Sequence, residues 1–93
     1  MTIGFCHLDL YLPECASLKQ KRSVLKSITA RTRNKFNVSV SELGDNDRWQ
    51  RAQLGVATVA NDSRYANQIL SKVVNFIERE DRLIVVDYSL ELL

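Results

Sequence analysis

Seven of the thirteen lysines and arginines of this 93-residue chain lie between positions 17 and 35: Lys19, Lys21, Arg22, Lys26, Arg31, Arg33 and Lys35. No Asp or Glu falls between Glu14 and Glu42. Cations at this density do one kind of chemistry well, which is to hold an anion such as a phosphate, a carboxylate or a polyanion backbone. A second group stands at Arg48, Trp49 and Arg51, where the single tryptophan of the chain is flanked by two guanidinium groups. Such a cluster suits a nucleobase, which stacks on the indole while its phosphate meets a cation. The plainer expectation for a lone Trp is that it folds back over the end of the core. Lys19, Lys21, Arg22, Lys26, Arg33, Arg48, Trp49 and Arg51 are the candidate anion- or nucleic-acid-binding residues.

Other chemistries are less well provided for. His7 and Asp9 are two apart, so on a strand they share a face and could form an acid/base pair. No nucleophile is fixed by spacing beside them, and the ordinary reading is a surface or interface pair. Glu42, Asp45 and Asp47 could touch Mg²⁺, but they lack the EF-hand spacing and its closing Glu. Cys6 and Cys15 are nine apart, with no CxxC and one His in the chain, which leaves a zinc or redox site without its usual ligands. They read as reduced thiols. Gly4, Gly44 and Gly55 are too scattered for a phosphate-cradling loop. The expectation is a non-enzymatic protein with no catalytic residue, no metal and no cofactor.

The elements that must position these residues follow from periodicity. Residues 3–12 alternate, with Cys6, Leu8, Leu10 and Leu12 on one side and Phe5, His7, Asp9 and Tyr11 on the other; this predicts a half-buried strand, stopped at Pro13. Ser17 is an N-cap with Gln20 three residues on, a capping box opening a helix to about residue 35. Its Leu18, Val24, Leu25, Ile28 and Thr32 share an apolar side, while Lys19, Arg22, Lys26 and Arg33 form a stripe elsewhere. Lys21 falls near the apolar side but in the first turn, from which a long side chain can reach past the helix end. Residues 36–43 predict a second strand, 44–47 a turn and 52–60 a third strand whose buried row is left open. Asn61, Asp62 and Ser63 cap a second helix packed through Ala66, Ile69, Leu70, Val73 and Ile77. Residues 83–92 make the last strand, with Ile84, Val86, Tyr88 and Leu90 expected on one face.

The order β-α-β-β-α-β predicts one domain over residues 1–93. Its class is α+β: a ferredoxin-like, four-stranded antiparallel sheet of order 4-1-3-2, with two helices on one face. This topology places the start of the basic helix at the same end as the hairpin bearing Arg48, Trp49 and Arg51. Cations in a first helical turn oppose the helix dipole by about 0.3–1 kcal/mol each, so their retention there suggests a ligand. Phe5, His7, Asp9 and Tyr11 would lie on the open sheet face beside Asp87, Ser89 and Glu91. An exposed sheet face bearing Phe and Tyr is an association surface, so a homodimer is the expected use of it. It lacks the aromatic pattern of an RRM platform.

No apolar run approaches a membrane span, and the first residues lack the basic start of a secretory signal, so a cytoplasmic protein without membrane partners is expected. The net charge is only +2, but positions 1–41 carry net +5 and positions 42–93 net −3, an asymmetry that bears on partners.

Residues 17–22 (Ser-Leu-Lys-Gln-Lys-Arg), 35–42 (Lys-Phe-Asn-Val-Ser-Val-Ser-Glu), 49–52 (Trp-Gln-Arg-Ala) and 59–62 (Val-Ala-Asn-Asp) together resemble the YlxP-like family of small bacterial proteins, a domain-of-unknown-function family. The similarity covers essentially the whole chain; the two cysteines and the hairpin containing Asn46 depart from a typical member. The resemblance implies a ferredoxin-like fold and assigns no catalytic or ligand residue. Genes of such proteins are often found among those for transcription termination, translation initiation and ribosome maturation, which implies by association a role near RNA or the ribosome. The reading is a binding module that engages RNA or a ribosome- or translation-associated partner through its basic helix. The alternative is a homodimeric structural or regulatory module that uses the open sheet face for protein or small-ligand contacts.

Overall fold

A computed structural model describes residues 1–45 and 47–93 of the chain. Its elements are β1 (Thr2–Tyr11), α1 (Leu18–Lys35), β2 (Ser39–Gly44), β3 (Arg51–Ala60), α2 (Ser63–Glu78) and β4 (Ile84–Leu92). All strand pairs are antiparallel and the sheet order is β2-β3-β1-β4, which read from the other edge is the expected 4-1-3-2. The fold is therefore the ferredoxin-like α+β arrangement. Asn46, part of the expected 44–47 turn, lies outside the described residues.

Alternation decides which face is which. Cys6, Leu8 and Leu10 of β1 are fully buried beneath the helices, opposite Val56, Leu54 and Ala52 of β3. The buried row of β3 is thus Ala52, Leu54, Val56, Thr58 and Ala60. α2 supplies Leu70, Val73 and Ile77, all at 0 % exposure, and packs on β1, β3 and β4. Gly4 permits this approach: a Cβ there would stand 2.8 Å from Leu70 Cδ1. α1 lies toward the β2 edge and touches β2 and α2. No helix is long and apolar enough to cross a membrane among the described residues.

Both helices start as their caps predict. Ser17 Oγ accepts from the Gln20 amide at 3.1 Å while Gln20 Oε1 accepts from the Ala16 amide. Asp62 Oδ1 accepts from the Tyr65 amide at 2.8 Å. These side chains satisfy backbone donors that the first turn leaves open.

Two expectations need correction. β2 begins at Ser39, not at Phe36: Phe36 caps α1 through its own N–H to Thr32 O, and its ring meets Phe76 edge-on at 5.7 Å. Helix termination and an aromatic contact thus outweigh the alternating pattern there. In β4, Ile84, Val86, Tyr88 and Leu90 do not share a face. The β1–β4 register shifts at Asp9/Leu10, so Leu90, Tyr88 and Val85 stand opposite Cys6, Leu8 and Leu10, while Ile84 stands opposite Tyr11. Val86 is the extra residue of a bulge. A similar shift in β2 makes Leu43 the extra residue of that strand.

Candidate nucleic-acid interface

The start of α1 and the β2–β3 hairpin do share one end of the sheet, and side chains hold them together. Lys21, 1 % exposed, turns back toward the hairpin: its Nζ donates to Asp45 O at 2.6 Å and Arg51 O at 3.2 Å, and stands 3.4 Å from Glu42 Oε2. Gln50 closes the other side, its Nε2 donating to Pro13 O at 3.1 Å and Cys15 O at 3.4 Å, while the Leu12 amide donates to Gln50 O. Lys21, expected among the anion ligands, is corrected by this geometry to an internal clamp. A buried ammonium needs acceptors close by, and the hairpin carbonyls supply them.

The remaining α1 cations divide into two groups. Arg31 pairs with Glu80, which also binds Arg82 at 2.7 Å. Arg33 Nη2 donates to Val40 O at 2.6 Å, and Lys35 Nζ lies 5.4 Å from the centre of the Phe76 ring. Lys19, Arg22 and Lys26 are exposed, and among the described residues their side chains make no hydrogen bond or ion pair. Arg22, Lys26 and Arg33 line one groove between α1 and β2, with a volume of about 360 Å³. Lys19 is not among the described residues that line this groove.

Trp49 does not fold back over the core. It is 54 % exposed and shares a concavity of about 580 Å³ with Tyr11, Asp47, Arg48, Gln50 and Arg51. Helix α1 and its Lys21 clamp already close that end of the core, which leaves the indole outside. Arg48 is itself largely exposed, 3.5 Å from Asp45 Oδ1. Asp45, at φ +60°, is held below the usual carboxylate range, first by a hydrogen bond from Gln53 and then by Arg48 and Arg51, against partial desolvation.

Sequence reasoning placed Tyr11 on the sheet face and Arg51 in the hairpin. The register joins them, because Tyr11 stands directly opposite Arg51. It missed Gln50 as the latch. The signal was available in principle, since a hairpin that closes at β3 must bring its last loop residues beside the end of β1.

Phe5, His7, Asp9 and Tyr11 do lie on the open face, each half-buried. His7 Nε2 contacts Gln53 Oε1 at 2.9 Å, and Gln53 Nε2 donates to Asp45 at 3.0 Å, so His7 is engaged with Gln53 and not with Asp9. Asp9 stands opposite Asp87 and Gln53. Gly55 leaves a notch between strands that Leu43 and Phe5 fill: a Cβ at 55 would stand 2.7 Å from Leu43 Cδ1 and 3.1 Å from Phe5 Cε1. Elsewhere on this face Ile3 and Val59, paired toward one end of the sheet, and Ile84 toward the other are 39–65 % exposed.

Both thiols are buried. Burial pushes Cys6 up to about 11 and raises Cys15 as well, the latter partly offset by Lys21 and Arg82. Neither is a ready thiolate. Among the described residues no three His, Cys, Asp or Glu side chains gather into a cluster, and Glu42 and Asp45 each face a protein cation.

Comparison with known proteins identifies a family and assigns no activity. The profile of the family described as "Protein of unknown function (DUF503)" matches residues 3–90. The Bacillus subtilis (strain 168) protein named "Uncharacterized protein YlxP" is 43 % identical over 76 residues, spanning 82 % of this chain and 83 % of that one. The chain belongs to the DUF503 family of proteins of unknown function, and it is YlxP-like over most of its length.

Proposed function

We propose that this chain is a non-enzymatic RNA-binding module. The observation that carries the reading is Trp49, exposed in one concavity with Tyr11, Arg48 and Arg51. An indole left in water at an end already sealed by other side chains has a face available for a base, and stacking contributes about 1–3 kcal/mol per base. Two guanidinium groups beside it can meet phosphate oxygens. Lys19, Arg22 and Lys26, with no protein partner among the described residues, add a positive field at low cost in desolvation. The ribosomal or translational setting implied by the family resemblance is where such RNA would be met.

A titration with single-stranded RNA oligonucleotides, followed by Trp49 emission at several salt concentrations, tests the proposal. Quenching, with affinity falling steeply as salt rises, is expected. Charge removal at Lys19, Arg22 and Lys26 is expected to weaken binding and to lower the salt slope by about 0.7 for each phosphate no longer neutralised. Unchanged emission together with salt-independent association would refute it.

A second reading is favoured by the open sheet face. Ile3 and Val59 toward one end and Ile84 toward the other stand exposed on this face, whose Gly55 notch is plugged by Phe5 and Leu43. Four strands about 4.8 Å apart and up to ten residues long offer about 600 Å² per copy. A two-fold pairing would thus bury about 1,200 Å² in total, at the lower bound for stable interfaces. Sedimentation is expected to show a dimer that Val59→Lys dissociates; a wild-type monomer at high concentration removes this reading.

A further inference from the structure

The groove between α1 and β2 has a different chemistry from the Trp49 concavity. Its lining joins the buried Leu25 and Leu54 with Thr29 and the exposed Ala30, beside the cations of Arg22, Lys26 and Arg33. One acid, Glu42, stands in its wall and is already paired with the buried Lys21. Among the described residues no aromatic ring lines it, so a base would find no stacking partner there. At about 360 Å³ it falls in the size range of ligand clefts. Arg22 and Lys26 are one turn apart on the same side of α1, where like charges destabilise a helix. An anionic partner would reverse that sign.

We infer that this groove is a docking site for an extended acidic segment of a partner protein, in which carboxylates alternate with aliphatic residues. The spacing fits. Arg22 and Lys26 are separated by about 6 Å along the helix axis. Alternate side chains of an extended peptide are about 6.6 Å apart on one side. Two carboxylates at alternate positions therefore reach the two cations together, while the residue between them is turned to the opposite side. β2 is the outermost strand on this side, so a peptide has room to lie along it. The backbone edge is not the main attraction, because Arg33 already takes Val40 O. Recognition is through side chains. The inference does not rest on RNA binding, and an RNA-binding failure at Trp49 would leave it standing.

The test uses the full chain and a fluorescein-labelled peptide of alternating Glu and Val, with the same peptide carrying Gln for Glu as control. Anisotropy is expected to show the Glu peptide bound at least tenfold more tightly than the Gln peptide. Arg22→Glu with Lys26→Glu is expected to abolish that preference. In an amide-shift map, perturbations are expected at Ala30, Val40 and Glu42, with the Trp49 indole unmoved. Equal affinity for the two peptides, or a preference that survives the double charge reversal, overturns the inference. So does a shift map centred on Trp49, which would assign the acid peptide to the RNA site. Retained helical circular dichroism in the double variant establishes that its loss of binding is not unfolding.

Discussion

The two helices cover one sheet and do opposite work. α2 sits over the centre, presents Ala66, Leu70, Val73, Val74 and Ile77 to β1, β3 and β4, and buries no charge. α1 lies toward the edge, and its buried side includes a lysine among Val24, Leu25, Ile28 and Thr32. α2 is thus a core helix of the ordinary amphipathic kind. α1 contributes less to the core and joins it to the hairpin, while its Lys19, Arg22 and Lys26 are exposed with no hydrogen bond or ion pair among the described residues. A basic stripe on a helix is not one feature: Lys21 and Arg22 are adjacent in sequence, and one is internal while the other lines an open groove.

Substitutions that break this contrast should rank in order of burial. Leu70→Ala in α2 is expected to lose about 3–5 kcal/mol in a denaturant melt, and Leu25→Ala in α1 about 2–3 kcal/mol, since the site nearer the edge can relax more. If the order is reversed, α1 is the true core helix. Lys21→Met comes next. It removes a cation from Glu42 and a donor from the carbonyls of Asp45 and Arg51, an expected loss of about 2 kcal/mol. Amide exchange in the hairpin should accelerate more than exchange in α2; a uniform change would mean that Lys21 is not a local clamp.

The junction between α1 and the α2–β4 loop titrates. Hydrogen bonds from Arg82 and then Arg31, working against desolvation, hold Glu80 at about 2, below its ordinary 4.5. A depressed carboxyl stabilises the folded state above the unfolded value and loses that contribution as pH falls from 4.5 toward 2. Acid titration should therefore show a stability decrement in that window that Glu80→Gln lacks. The smallest effect belongs to Lys19, exposed in the first turn of α1. Lys19→Glu should stabilise the helix by about 0.3–1 kcal/mol while weakening RNA association, whereas stabilisation with RNA association unaltered would mark Lys19 as only a solvated charge.

Much of the architecture was legible because local rules and burial agree. β1 alternates over its whole length, Ser17 and Gln20 announce α1, and two helices with four strands in this order have few ways to bury their apolar faces. The places where reading failed depend on contacts distant in sequence. Lys21 turns inward because carbonyls at 45 and 51 are there to receive it, and nothing at residues 17–35 reports them. Trp49 stays outside because that end of the core is already closed. The shift at Val86 depends on which β1 residue each β4 residue meets, and one slipped residue reverses every side chain beyond it. For the site, residue types and the two local groupings were informative; the separation of the helix stripe from the hairpin cluster into two cavities was not legible. Arg22, Lys26 and Arg33 line one groove, while Arg48, Trp49 and Arg51 join Tyr11 in another cavity.

Both bulges lie on the two outermost strands, Leu43 on β2 and Val86 on β4. An outer strand with a regular ladder of unpaired amides and carbonyls is a template on which identical chains can stack into fibrils. Here each border is interrupted, and on the β2 side Arg33 also occupies a carbonyl. The sheet is thus finished along both borders, and a chain this short can keep apolar side chains on an uncovered face without offering a row on which endless ribbons could grow.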